Sequence, residues 1–188
     1  RGTEGKGGEI KLLGDRVGLI GNAQVDASGE TGGGSVLVGG SYQGKNPDIQ
    51  NAQATYVGPE ARIVADAVYS GSGGKIIVWS NDATRTYGTI SARGGANSGD
   101  GGFVEVSGKK NLSFDGAVAL SAPKGRSGSL LLDPDDLYLG AVQGGATAAG
   151  SASSFNANTG ADFYITEAAL QGVGDAAITL QAAHDVIF

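Results

Sequence analysis

The stretch GGKIIVWS, residues 73–80, has four relatives in the same chain: GGEIKLLG from Gly7, GGSVLVGG from Gly33, GGFVEVSG from Gly101 and SGSLLLDP from Ser127. Aligned on Ile10, Val36, Ile76, Val104 and Leu130, the copies are spaced 26, 40, 28 and 26 residues apart. Two positions earlier stand Gly8, Gly34, Gly74, Gly102 and Gly128; two positions later stand Leu12, Val38, Val78, Val106 and Leu132. The residues between, Lys11, Leu37, Ile77, Glu105 and Leu131, are mixed in character. Period-two alternation of branched aliphatic residues describes a strand with one buried face. A second series pairs an apolar residue with an alanine two positions on: Val25 and Ala27, Ile63 and Ala65, Ile90 and Ala92, Leu120 and Ala122, Leu180 and Ala182. Each repeat therefore carries at least two strands.

Short strands recurring every 26 to 30 residues, each opened by glycine, fit a parallel β-helix in which one repeat is one turn. Equivalent residues then stack about 4.8 Å apart and fill a narrow interior. The glycines take corners that need positive φ or close backbone approach. Propeller blades would bring aromatic signatures, and leucine-rich repeats an Asn or Cys ladder; neither is present. A sandwich would not keep one residue column through five copies. The 40-residue spacing contains an insertion, residues 41–55, whose Pro, Asn and Asp place it on the surface. The chain divides into β-helix coils over residues 1–134, a loop excursion over 135–175, and a resumed coil over 176–188. Within the excursion, Thr166 as N-cap and the run EAALQG predict a short helix near residues 166–171. The expected fold class is all-β.

Composition narrows the function. The 188 residues include 35 glycines but only 4 prolines, without the Gly-X-Y period of collagen. Aromatics make up 6% and charged residues 17%, with a net charge of −6, so no basic stripe offers itself to nucleic acid. The absence of cysteine removes disulfides and thiolate metal sites. No apolar run approaches the roughly 18 residues of a membrane-spanning helix. Arg1 opens directly into the repeat pattern, which reads as a segment of a longer protein without its signal peptide.

The succession VDASGETGGGSVLVGGSYQGKN, NAQATYVGPEARIVADA, GSGGKIIVWSNDATRTYGTISARGG, GDGGFVEVSGKKNLSFDGAVALSA and GSLLLDPDDL resembles the filamentous-haemagglutinin-type exoproteins, the large passengers of bacterial two-partner secretion. The resemblance covers essentially the whole chain and is strongest from Val25 to Leu137. It implies a right-handed parallel β-helix, export through an outer-membrane transporter of the two-partner type, and a secreted or cell-surface adhesive role in a Gram-negative-type bacterium. The family's secretion domain is not recognisable, so the segment is expected to lie downstream of it.

Few residues suggest chemistry. GANSGDGGF, residues 95–103, is one imperfect copy of a calcium nonapeptide, whereas such turns work in tandem; a glycine-rich corner is the better reading. Asp133, Asp135 and Asp136 in LLLDPDDL are candidates for an ion or an acid–base pair on polysaccharide, set against a plain Asp-Pro turn whose carboxylates bond local amides. His184 is the only histidine and has no partner set for a transition metal. Trp79, following inward Val78, is expected to point outward and to form with Phe103 a platform for a sugar ring, unless a loop packs over it. No catalytic, cofactor or metal residue is assigned. The expected role is a structural and adhesive segment attaching to a surface glycan or protein receptor, with end-to-end self-association through open coil edges. The alternative is a β-helix that binds or processes polysaccharide.

Overall fold

The computed structural model describes residues 5–135, 137–139 and 165–187. Its first coil comprises β1 (Glu9–Leu12), β2 (Arg16–Leu19) and β3 (Gln24–Asp26). The second holds β4 (Ser35–Val38), a 3-10 turn at Tyr42–Gly44, β5 (Ala54–Val57) and β6 (Arg62–Val64). The third is β7 (Lys75–Ser80), β8 (Ala83–Thr86) and β9 (Thr89–Ser91); the fourth is β10 (Phe103–Gly108), β11 (Asn111–Phe114) and β12 (Ala117–Ala119). Then come β13 (Ser129–Leu132), β14 (Leu137–Tyr138), helix α1 (Glu167–Gln171), β15 (Ala177–Leu180) and β16 (Val186–Ile187). Strands β1, β4, β7, β10, β13 and β15 form one parallel wall, β2, β5, β8 and β11 a second, and β3, β6, β9 and β12 a third. This cycling through three all-parallel sheets is a parallel β-helix.

In the first wall Ile10, Val36, Ile76, Val104, Leu130 and Ile178 stack one upon the next. Those from Val36 to Leu130 have no exposed surface. The glycines that open this wall's strands from β4 to β13 explain the tightness of the corner. A Cβ on Gly34, Gly74, Gly102 or Gly128 would stand 2.1 Å from the carbonyl oxygen of the glycine one coil earlier. On Gly7, Gly33, Gly73 or Gly101 it would stand 1.7 to 2.1 Å from the carbonyl of Ala27, Ala65, Ala92 or Leu120. Those four carbonyls each accept the N–H of the next coil's second glycine at 2.7 or 2.8 Å. None of these glycines has a positive φ, so the corner is set by close approach and not by a left-handed turn.

The second wall was not visible as a separate column in the sequence. Its inward residues are Val17, Thr55, Thr84 and Leu112, then Leu19, Val57, Thr86 and Phe114. The polar members blur the hydrophobic period, yet Thr55 and Thr84 are buried. Thr55 donates its hydroxyl to the Trp79 carbonyl at 2.7 Å and Thr84 donates to that of Ser107 at 2.8 Å. Each threonine thereby ties its coil to the following one.

The third wall corrects an alignment. Val25, Ile63 and Ile90 are followed by Val118, so Leu120 falls where the other coils have Ala27, Ala65 and Ala92. A two-residue slip leaves every side chain on the same face, so alternation alone cannot detect it. Leu180 belongs to the first wall, where it pairs with Leu132. The short helix lies where its cap predicted. Thr166 accepts the Ala169 N–H at 3.2 Å, and Ile165 bridges Phe114 at the end of the second wall. Ile165, Ala169 and Val173 add to the core there, so the helix covers what would be the next coil's wall. Among the described residues no helix is long and apolar enough to cross a membrane.

Candidate functional site

Among the described residues, the surface most elaborated beyond the coil path lies on the outer face of the first wall, where the insertion folds back. The chain leaves the coil at Gly39 and returns at Ala52, whose N–H donates to the Gly39 carbonyl at 2.6 Å. Residues 40–51 are therefore the insertion. Ala54 and Thr55, expected within it, are part of the second wall, because their register against β2 and β8 is continuous.

The loop overturns the expected exposure of Trp79. The indole does point outward, but it is only 5% exposed and packs with Leu37 and Ile77. Gly40 and Gly44 press upon it so closely that a Cβ at either would meet ring atoms at 2.5 and 2.7 Å. The two glycines are what let the backbone lie flat upon the ring. Phe103 lies one coil on but pairs with Lys75, while Trp79 pairs with Ser107, so the two rings form no joint platform. Phe103 instead meets Tyr42 of the loop edge-on at 5.8 Å between centroids. The Lys75 ammonium sits 4.9 Å from the Tyr42 ring centroid and 5.8 Å from that of Phe103. That arrangement permits cation–π attraction to both rings.

Beneath the loop is a residue the sequence reading passed over. Glu105 stands in the outward column with Leu37, Ile77 and Leu131, and it has no exposed surface. The backbone N–H of Gln43 donates to both carboxylate oxygens, at 3.1 and 3.2 Å. Gln43 adopts φ +50, the one left-handed residue other than glycine among those described, and the carboxylate fixes that conformation. Burial pushes the Glu105 carboxyl up to about 7; the Asp133 charge adds to the rise, while the Gln43 N–H and the Lys75 ammonium oppose it. The clue in the sequence was an acid set between the aliphatic Ile77 and Leu131 of the neighbouring coils.

The remaining candidates disperse. Asp133 accepts the Gln43 side-chain amide at 2.7 Å, so its carboxylate anchors the loop and not a local turn. The Asp135 N–H donates to the Lys109 carbonyl at 2.7 Å, and Asp136 lies outside the described residues. Within GANSGDGGF, Asp100 accepts the backbone N–H of Arg126 and pairs with its guanidinium at 2.8 Å, which holds the carboxyl below its usual range. That segment staples two corners. His184 is exposed on the last coil. Among the described residues no group of three His, Cys, Asp or Glu could hold a metal.

Excising residues 40–51 and rejoining Gly39 to Ala52 through one or two residues is expected to preserve the β circular dichroism, because the loop's ends already meet. It should shift the emission of Trp79, the only tryptophan, to the red as the indole meets water. Loss of the β signal would show the loop to be part of the wall. Comparison with protein-family models and with curated proteins finds no match for this chain.

Proposed function

We propose that this chain is a structural and adhesive segment of a large secreted or surface-displayed bacterial protein of the filamentous-haemagglutinin type, exported by a two-partner transporter. The observation that carries the reading is a stack of coils joined to their neighbours by repeated backbone contacts, with a formed loop at residues 40–51 on its outer face. Such a stack grows by nearest-neighbour addition and needs no disulfide, which suits folding after passage through a pore. The repeats supply length, and the loop at residues 40–51 supplies a distinctive surface for a glycan or protein receptor.

Polysaccharide processing is the second reading. Glu105 favours it, since a carboxyl near 7 suits a general acid. Against it, the carboxylate is sealed beneath Gln43, where no scissile bond reaches it. The test uses the purified chain on beads, scored for attachment to bacterial and epithelial cells, and in solution, assayed for new reducing ends in acidic polysaccharides. Attachment without new reducing ends is expected. Polysaccharide cleavage abolished by Asp133→Asn, Asp135→Asn and Asp136→Asn with the fold intact would replace the adhesive reading by the enzymatic one.

A further inference from the structure

We propose that the pocket between the insertion loop and strands β1, β4 and β7 binds a carboxylate-bearing sugar ring, a uronate within an acidic polysaccharide. The assignment rests on the adhesive reading and names the ligand class for its loop. The pocket has a volume of about 440 Å³, within the roughly 300–1,000 Å³ range of small-ligand pockets.

Its charge runs against that of the chain. The net charge is −6, yet Lys11, Lys45 and Lys75 all line this one cavity. Glu9 also lines it and pairs with Lys11 at 2.9 Å, leaving two ammonium groups to account for. Lys45 donates to the Gln43 side-chain carbonyl at 2.7 Å, and Lys75 rests over Tyr42 and Phe103. Among the described residues, no carboxylate lies within ion-pair distance of either. A ligand carboxylate would supply the missing countercharge.

The rest of the lining suits a sugar. Leu37 and Ile49 give an apolar floor, and Tyr42, 41% exposed, offers ring surface for the C–H face of a pyranose. Ser35 and Asn46 add polar groups suited to sugar hydroxyls, while buried Ser41 accepts the Asn46 N–H and shapes the loop. The loop's bonds to Glu105 and Asp133 hold Tyr42 and Lys45 in place before a ligand arrives. An acidic peptide fits less well. Extended peptides dock by adding a strand to a sheet edge; β4 and β7, at the pocket floor, are paired on both sides, and the pentaglutamate peptide in the test covers the edge that β1 leaves open.

The test is titration calorimetry of the full chain with a galacturonic acid trimer, a neutral galactose trimer, a sulfated galactose trimer and a pentaglutamate peptide. The uronate trimer is expected to bind at least tenfold more tightly than the others and to weaken as salt is raised. Lys45→Gln with Lys75→Gln should lower its affinity at least tenfold, with circular dichroism and Trp79 emission unchanged; Tyr42→Ala should lower it as well. Failure of the parent to bind the uronate, equal binding of the neutral trimer, an unaffected double variant, or tighter binding of the sulfated trimer or the peptide would each overturn the assignment. The two readings fail separately. Cell attachment without uronate binding sinks the pocket alone, and uronate binding without cell attachment sinks the adhesive role alone.

Discussion

Ile76→Asp is expected to cost on the order of 3–5 kcal/mol, enough to unfold much of the stack near room temperature. Ile76 has no exposed surface and lies between Val36 and Val104 in a column of aliphatic side chains. A carboxylate there must be protonated or left unpaired in a dry interior. The damage is not local, because each coil is stabilised chiefly by the coils on either side of it. Ile76→Val, which removes one methylene, should cost only about 1 kcal/mol. Urea melts of the three chains at neutral pH decide the matter. An Asp variant that melts with the parent would mean that Ile76 does not face inward.

Glu105 should make stability fall as pH rises. Its carboxyl is raised from an ordinary 4.5 to about 7 in the folded chain, so the folded state holds the proton over a range in which the unfolded state has lost it. Folding is therefore favoured below about 4.5, loses stability between there and 7, and is level above. The shift corresponds to about 3 kcal/mol across that window. Glu105→Gln carries no proton to lose and keeps a carbonyl oxygen for the Gln43 N–H. It should melt later than the parent at pH 8.5 and show no advantage at pH 4. The Asp100 carboxyl, held low by Arg126, contributes a slope of opposite sign only as its own depressed range is approached in acid. Parallel pH profiles for parent and variant would show that Glu105 is hydrated and the loop open.

The first wall was legible because its inward column is purely aliphatic and its strands from β4 to β13 are each opened by a glycine whose Cβ would strike the coil before it. The third wall was legible in kind but not in register, since VALSA satisfies period two whether Val118 or Leu120 is aligned with Ile90. The second wall was hidden by Thr55, Thr84 and Thr86, polar in sequence but inward in the coil. The cover over Trp79 was left open and Glu105 was passed over for one shared reason. Alternation reports which face a residue is on, and says nothing of whether a loop from elsewhere in the chain lies over that face. Gly40 and Gly44, at the places where the loop touches the indole, and an acid between Ile77 and Leu131 were the hints of such a cover.

The glycine pairs also bear on how such a chain changes length over generations. From Gly8 to Gly128 the joint between adjoining coils is the same: one coil's second glycine against the carbonyl of its predecessor's. A genetic crossover joining Gly33 to Gly74 would delete one whole coil, and Gly74 would then meet Gly8 as Gly34 does now. A crossover out of phase would set a side chain against a carbonyl and break the joint. Unequal recombination is thereby filtered to whole turns, so the shaft can lengthen or shorten while its cross-section stays fixed.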